Sequence, residues 1–311
     1  MKQKFTTIIS AFIMGCAQTI PGADGSTVAL MLGVYDNYVN LIYSVSEIIK
    51  TFAQAIIRKK SFKDVWKLIK SFNYSFALFL GLGMMIAITL LSTLIMSLLE
   101  TYPHYLFAVL LGLVFSVIVI PLKIIRKPNL KEVAIAIASF IIFFLFLGLS
   151  PADNPATTPS YLYLFFGGFA GITAMMLPGI GGSYVLLVLG QYYYILGEIG
   201  DIIRLQGELT QFIGLVIFAL GMVFGMSTVA RLFKKALDKH LNLFLAFVTG
   251  LLLASARVLW PFVKAVEIDG EKVTTVVPLA SFQTGEIALI IFIFLVTLSV
   301  FSFVNWKYGE I

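Results

Sequence analysis

Long apolar runs constrain this chain more than any other feature of its sequence. They cover residues 72–99, 105–122, 132–150, 209–229, 240–260 and 285–305. Each run is close to the roughly 20 residues that a helix needs to cross the hydrocarbon core of a bilayer. Of the 311 residues, 59% are hydrophobic and 12% are charged, whereas about a quarter of a soluble domain is charged. The sequence therefore predicts an all-α polytopic membrane protein with about six full transmembrane helices.

Two further apolar regions, 5–43 and 160–199, are each interrupted by a loop of proline and glycine. The loops read Pro21-Gly22-Ala23-Asp24-Gly25 and Pro178-Gly179-Ile180-Gly181-Gly182. Proline lacks an N–H group and glycine adopts conformations closed to other residues, so one helix ends and another begins at such a loop. Each region therefore predicts a hairpin of two helices, either re-entrant or fully crossing. A removable lipoprotein leader, whose cleavage would leave Cys16 as an acylated N-terminus, is the alternative for the first region.

The basic residues orient the chain in the membrane. If both hairpins return to their side of entry, 18 of the 22 Lys and Arg residues lie in inner segments, and the exceptions are Arg204, Arg257, Lys264 and Lys272. Basic residues concentrate in the cytoplasmic segments of membrane proteins. The sequence thus predicts a multi-pass protein with both termini in the cytoplasm. The net charge of +6 reflects this topology, and no nucleic-acid partner is expected.

The segment 44–70 is less apolar and carries basic residues among apolar ones at helical spacing. This pattern is typical of a helix that lies on the lipid surface, so membrane lipids are expected partners on the inner side. An ordinary solvated cytoplasmic loop is the alternative.

The two Pro-Gly loops belong to an internal repeat. Aligned on Pro21 and Pro178, PGADGSTVALMLGVY and PGIGGSYVLLVLGQY are identical at nine of fifteen positions. A leader has no reason to be duplicated, which disfavours the lipoprotein alternative. The repeat predicts four parts, namely a first repeat 1–127, a connecting helix and outer loop 128–159, a second repeat 160–262, and an outer loop with the last helix 263–311. One span separates the copies, so the second copy is inverted, and inverted repeats with broken helices are typical of secondary transporters.

The loops are candidate anion sites. A helix that starts at Ser26 or Ser183 directs unpaired N–H groups and the positive end of its dipole into the loop, and an arginine can bind a phosphate through two parallel hydrogen bonds. The candidate phosphate ligands are Gly22, Gly25, Ser26, Thr27, Gly179, Gly182, Ser183 and Arg257. The alternatives are that the glycines only permit close helix packing, that the serines only cap helices, and that Arg257 reaches the outer interface beside Trp260.

Asp24 is a carboxylate inside the first loop, where it would repel an anion unless it were protonated. It is therefore a candidate proton carrier or a helix cap, with Gln18 as its candidate neighbour. The chain has a single cysteine and two histidines, and neither histidine is near a Pro-Gly loop. The sequence therefore predicts no catalytic residue and no metal site. We expect no cofactor beyond a co-transported proton or sodium ion.

Three motifs resemble the PopT family of polyprenyl-phosphate transporters, formerly a membrane family of unknown function. They are Pro21 to Tyr35, Met-x-Leu-Pro-Gly followed by Gly-Ser at 175–183, and Arg-x-x-Trp-Pro at 257–261. The family pattern often has aspartate where this chain has Gln18, and serine where it has Asp24 and Gly181.

The resemblance implies a flippase in the plasma membrane that returns undecaprenyl phosphate, a lipid carrier of cell-envelope precursors, from the outer to the inner leaflet. Such inward transport of a negative charge would be coupled to an ion gradient or the membrane potential. The alternatives are a polyprenyl-diphosphate phosphatase, which would be a membrane enzyme, and a secondary transporter of a small anion.

Overall fold

The structure is a computed structural model that describes residues 2–17, 25–57, 62–86, 89–90, 92–125, 127–149, 159–204, 208–268 and 271–308. Its helices are α1 (Lys2–Ala17), α2 (Gly25–Met31), α3 (Tyr35–Ile57), α4 (Lys63–Lys70), α5 (Tyr74–Ile86), α6 (Ser92–Thr101), α7 (Pro103–Ile124), α8 (Leu130–Phe146), α9 (Tyr161–Met176), α10 (Gly182–Val188), α11 (Tyr192–Ile203), α12 (Leu209–Lys239), α13 (Leu241–Ser255) and α14 (Thr284–Tyr308). The described residues are mostly helical, in agreement with the predicted fold class.

A small antiparallel sheet lies in the segment that was expected to be an outer loop. It consists of β1 (Val263–Ile268) and β2 (Glu271–Val276), and its register pairs Val263 with Val276 and Ile268 with Glu271. β-Branched residues favour these strands. The sequence between them is Asp-Gly, the strongest short-range indication of a hairpin.

Three described helices are long and apolar enough to cross a membrane, namely Pro103–Ile124, Leu209–Lys239 and Thr284–Phe303. They contain most of the predicted spans 105–122, 209–229 and 285–305. A fourth span counts if α4 and α5, bent by 67° at their junction, are taken together. The predicted span 72–99 is divided between α5 and α6, and α8 and α13 have 17 and 15 residues. The number of six spans therefore stays a prediction.

The helix α4 and its N-cap residue Phe62 combine basic and exposed apolar side chains. Phe62 and Trp66 are 48% and 61% exposed, and the basic residues of the helix are Lys63, Lys67 and Lys70. This composition suits the interface between water and lipid. The position of the segment on the membrane surface stays a prediction.

The chain contacts divide the molecule into two compact units. Unit 1 comprises Met1–Tyr35, Ser75–Gly148 and Leu241–Ile311, and unit 2 comprises Asp36–Tyr74 and Leu149–His240. Each unit combines segments from both predicted repeats.

Glycines bring the helix backbones of each unit close together. In unit 1, Gly250 of α13 packs on the backbone of α8 at Ala136, and Gly112 of α7 packs on α14 at Phe294. In unit 2, Gly168 of α9 packs on Phe218 of α12, and Gly221 of α12 packs on Phe165 of α9. In lipid there is no hydrophobic driving force between helices, so close packing at small residues stabilises these helix contacts.

The two copies of the repeated motif have the same local structure. Both α2 and α10 have seven residues and begin at the aligned glycines Gly25 and Gly182. Each start is one residue before the predicted helix start, at Ser26 or Ser183. The following helices, α3 and α11, begin at the aligned Tyr35 and Tyr192. Among the described residues each region therefore contains three helices, where the sequence predicted two. The hairpin arrangement itself stays a prediction.

The additional break results from the glycines at 33 and 190. Their φ angles are 66° and 64°, a left-handed conformation that ends a helix. Equivalent backbone hydrogen bonds form at the C-terminal ends of α2 and α10. The N–H groups of Gly33 and Val34 donate to Leu30 and Ala29 at 3.2 and 2.9 Å, and those of Gly190 and Gln191 donate to Leu187 and Leu186 at 2.9 and 2.9 Å. This is the Schellman motif, built twice.

Candidate functional site

The second Pro-Gly loop connects α9 to α10 in unit 2. Leu177 N–H donates to Ala174 O at 2.9 Å, and the chain then turns through Pro178 and Gly179. Gly179 has a φ angle of 91°, which a residue with a side chain adopts only at a cost. At Gly182 a Cβ atom would overlap the Met175 side chain and lie 2.6 Å from Gly171 O. Both candidate glycines are thus required by the backbone path of the loop.

The N-terminus of α10 has no side-chain cap. Its N-cap residue is Gly181, with φ −72° and ψ 135° and no side-chain cap hydrogen bond. Ser183 therefore lies in the first turn and is not the N-cap, and its side chain is exposed. Its hydroxyl group and the first-turn N–H groups are of the chemical type that binds an oxyanion.

The first Pro-Gly loop lies mostly outside the described residues, as do Gly22, Asp24 and Gln18. Gly25 is buried, and Ser26 and Thr27 are both 0% exposed. They lie in α2, which contacts α1 and α7 in unit 1. The aligned residues Ser26 and Ser183 thus have opposite exposure.

Polar side chains that the sequence analysis missed lie at both ends of the second hairpin. The Tyr38 hydroxyl, on α3, donates to Met175 O at 3.2 Å, next to the loop. Gln191 is 0% exposed and its Nε2 donates to Tyr163 O at 2.8 Å, while the Tyr163 hydroxyl donates to Leu189 O at 2.6 Å. The Oε1 atom of Gln191 has no hydrogen-bond partner among the described residues. An amide side chain directly after Gly190, where the aligned position of the first copy has Val34, was the sequence feature that could have revealed it.

Arg257 lies in the turn that follows α13 in unit 1 and holds the C-terminal end of α8. Its Nη1 donates to Phe144 O at 2.9 Å, and its Cζ lies 4.6 Å from the centre of the Phe144 ring. The guanidinium occupies the space that a Cβ atom on Gly148 would need. A cation at this position interacts favourably with the negative end of the helix dipole. The Arg257 side chain remains exposed, so its other N–H groups are accessible.

The candidate residues thus fall into three places. Gly179, Gly182 and Ser183 lie together in unit 2, Gly25, Ser26 and Thr27 lie in α2 of unit 1, and Arg257 lies at the end of α8. No group of three or more His, Cys, Asp or Glu residues that could hold a metal ion occurs in the described part of the chain.

Comparison with known proteins gives consistent results. A family model described as undecaprenyl phosphate translocase-like matches residues 14–277. A polyprenyl-phosphate transporter of Vibrio cholerae is 28% identical over 263 residues, which cover 83% of this chain and 78% of that protein. A polyprenyl-phosphate transporter of Staphylococcus aureus is 26% identical over 270 residues, which cover 83% of this chain and 87% of that protein. No solved structure matches the chain.

Proposed function

Because the chain belongs to the undecaprenyl phosphate translocase-like family, we propose that it transports polyprenyl phosphate across the plasma membrane. The direction is from the outer to the inner leaflet, which returns undecaprenyl phosphate to cell-envelope synthesis. Both relatives are named transporters, which supports transport rather than catalysis. The lipid tail stays in the bilayer throughout, so only the phosphate head group needs a polar path.

The repeated motif carries this proposal. The matched stretch contains both copies, and each copy builds a helix of seven residues closed by the same Schellman hydrogen bonds. The two copies form an inverted repeat in the proposal. Interrupted helices are tolerated in a membrane only where they are buried in protein or line a wet cavity, and in transporters such breaks form the substrate site.

The phosphate binds at the loops in this proposal. Its ligands at the second loop are first-turn N–H groups of α10, the Ser183 hydroxyl and the backbone at Gly179 and Gly182. The other proposed phosphate ligands are Gly22, Gly25, Ser26, Thr27 and Arg257. Ser183 is exposed and Ser26 is buried, so the Ser183 hydroxyl is the more accessible of the two proposed serine ligands.

Inward transport of a phosphate needs a source of free energy. Moving one negative charge against an inside-negative potential costs about 2.3 kcal/mol per 100 mV. A co-transported proton or sodium ion offsets this cost. Asp24 is the proposed proton carrier, with Gln18 as its neighbour.

Reconstitution tests the proposal. Proteoliposomes with the purified protein receive labelled undecaprenyl phosphate, and the fraction of label accessible to an impermeant reagent is followed with and without an imposed potential and proton or sodium gradient. We expect movement with wild type and with Met31→Leu, and loss of movement with Ser26→Ala, Ser183→Ala and Arg257→Ala.

Failure of the wild-type protein to move the lipid contradicts the proposal. Release of inorganic phosphate from the diphosphate lipid indicates the phosphatase instead, and uptake of a small anion without lipid movement indicates the secondary transporter.

A further inference from the structure

An apolar groove lies in unit 1 between the end of α7, the start of α8 and α13. Its volume is about 170 Å³, and its lining includes Leu122, Ile125, Val133, Ala136, Ile137 and Ala246. Ile125 and Ala246 are 5% and 2% exposed, whereas Leu122, Val133 and Ile137 are 55%, 41% and 54% exposed. The groove therefore has a buried floor and an open apolar rim.

The size and polarity of the groove suit a hydrocarbon chain. An apolar cavity of about 150 Å³ holds a molecule of the size of benzene, which is comparable to one isoprene unit. The Thr249 hydroxyl in its wall donates to Leu245 O at 2.7 Å, within its own helix. The wall thus offers apolar contact to a ligand.

Three lysines are adjacent in sequence to residues that line the groove. Lys123 follows Leu122, Lys127 precedes Pro128, and Lys131 precedes Glu132. All three side chains are exposed, and no carboxylate of a described residue forms an ion pair with any of them. Their charges are complementary to an anionic head group, in a segment that the basic-residue pattern predicts to be cytoplasmic.

Glu132 is the acidic group of the groove, and its charge is compensated locally. It is 7% exposed, and its Oε2 accepts the Asn129 N–H at 2.8 Å in a capping box. This position at the start of α8 is the positive end of the helix dipole. An anionic head group is therefore expected at the lysines and not deeper in the groove.

We propose that this groove binds the first isoprene unit of polyprenyl phosphate in the cytoplasmic leaflet, with Lys123, Lys127 and Lys131 around the phosphate. The inference rests on the proposed function and adds a second site, where the lipid is held after it crosses. A single groove accommodates one chain. It thus fits a polyprenyl phosphate, which has one hydrocarbon chain, better than a diacyl phospholipid.

Photo-cross-linking of the full-length protein tests the inference. The protein is placed in phosphatidylcholine nanodiscs with a polyprenyl phosphate that carries a diazirine on the isoprene unit next to the phosphate. Val133→Trp obstructs the groove. Leu130→Trp is the matched control, because Leu130 lies on the same helix, is 84% exposed and is outside the lining.

We expect the probe to label residues 122–137 of the wild type and of Leu130→Trp. Labelling falls about tenfold in Val133→Trp, which corresponds to about 1.4 kcal/mol of lost binding free energy. It also falls in the Lys127→Gln, Lys131→Gln double variant. Unlabelled undecaprenyl phosphate competes with the probe, and phosphatidylglycerol does not. If Val133→Trp fails to fold, Ile137→Trp replaces it.

Three results overturn the inference: no label in residues 122–137, equal labelling of the obstructed and control variants, or equal competition by phosphatidylglycerol. The last result assigns the groove to an ordinary membrane phospholipid. Cross-linking measures binding alone. If the wild-type protein is labelled in this groove but moves no lipid in proteoliposomes, that result contradicts the proposed function and not the binding of the lipid in the groove. A wild type that moves lipid without label contradicts this inference alone.

Discussion

Arg257 caps a helix and remains accessible to a ligand. One N–H of its guanidinium donates to Phe144 O, and its plane lies near the Phe144 ring. Gly148 leaves room for it. The remaining N–H groups of an arginine fork are sufficient for an anion, so the stabilising contact and the proposed phosphate contact are compatible.

Substitutions at Arg257 separate these two contributions. Arg257→Ala removes both, and we expect a loss of about 1 kcal/mol of stability together with loss of transport. Arg257→Lys keeps a cation at the end of α8 but lacks the fork, so stability recovers while transport does not. Thermal unfolding in detergent and lipid movement in proteoliposomes measure the two effects. Full transport by Arg257→Lys would show that the fork is not needed.

The helix-ending glycines of the repeat act at the scale of the element. Gly33 and Gly190 are left-handed, and an alanine in that conformation costs about 1–2 kcal/mol. We expect Gly33→Ala and Gly190→Ala each to lower the free energy of unfolding by about this amount. Gly197→Ala is the control, since Gly197 lies within α11 and a Cβ atom there meets no described atom within 4 Å. Denaturant titration gives the values, and an equal effect of all three variants would contradict the assignment.

Close packing of α9 on α12 depends on Gly168 and Gly221. A Cβ atom on either one would overlap a backbone carbonyl of the opposite helix, which cannot move without separating the helices. We expect Gly168→Ala and Gly221→Ala to destabilise the protein by about 1–3 kcal/mol, as overpacking does. Gly200→Ala, within α11 and with no described atom within 4 Å of the new Cβ, is expected to stabilise the protein by up to about 1 kcal/mol in the same thermal unfolding assay, because alanine is favoured over glycine inside a helix. Unchanged stability of the first two variants would mean that the helices are farther apart.

At the scale of the whole molecule, each unit joins segments that are distant in sequence. Within unit 1 the Ser139 hydroxyl donates to Phe247 O at 3.1 Å, across 108 positions. Within unit 2 the Tyr38 hydroxyl reaches Met175 O across 137 positions. Each unit therefore depends on contacts between segments that are distant in sequence.

The orientation of the whole chain is testable at the two ends of α12. In a Cys16→Ser background, we expect Glu208→Cys to react with an impermeant maleimide in intact cells. Lys235→Cys should react only after permeabilisation, because basic residues favour the cytoplasmic side. The background variant alone serves as the control for labelling. The opposite pattern would invert the predicted topology.

Local features of the sequence determined the membrane class, the helix break at Pro178 to Gly182 and the family. The match of the family model over residues 14–277 confirms the family. Hydropathy and the backbone preferences of proline and glycine are properties of short segments, so they are visible without a structure. Only the tertiary structure decided that Ser26 is buried and the aligned Ser183 exposed, and that Arg257 reaches Phe144. Burial and pairing depend on which distant segments pack together, and the two similar motifs have different neighbours because each lies in a different unit.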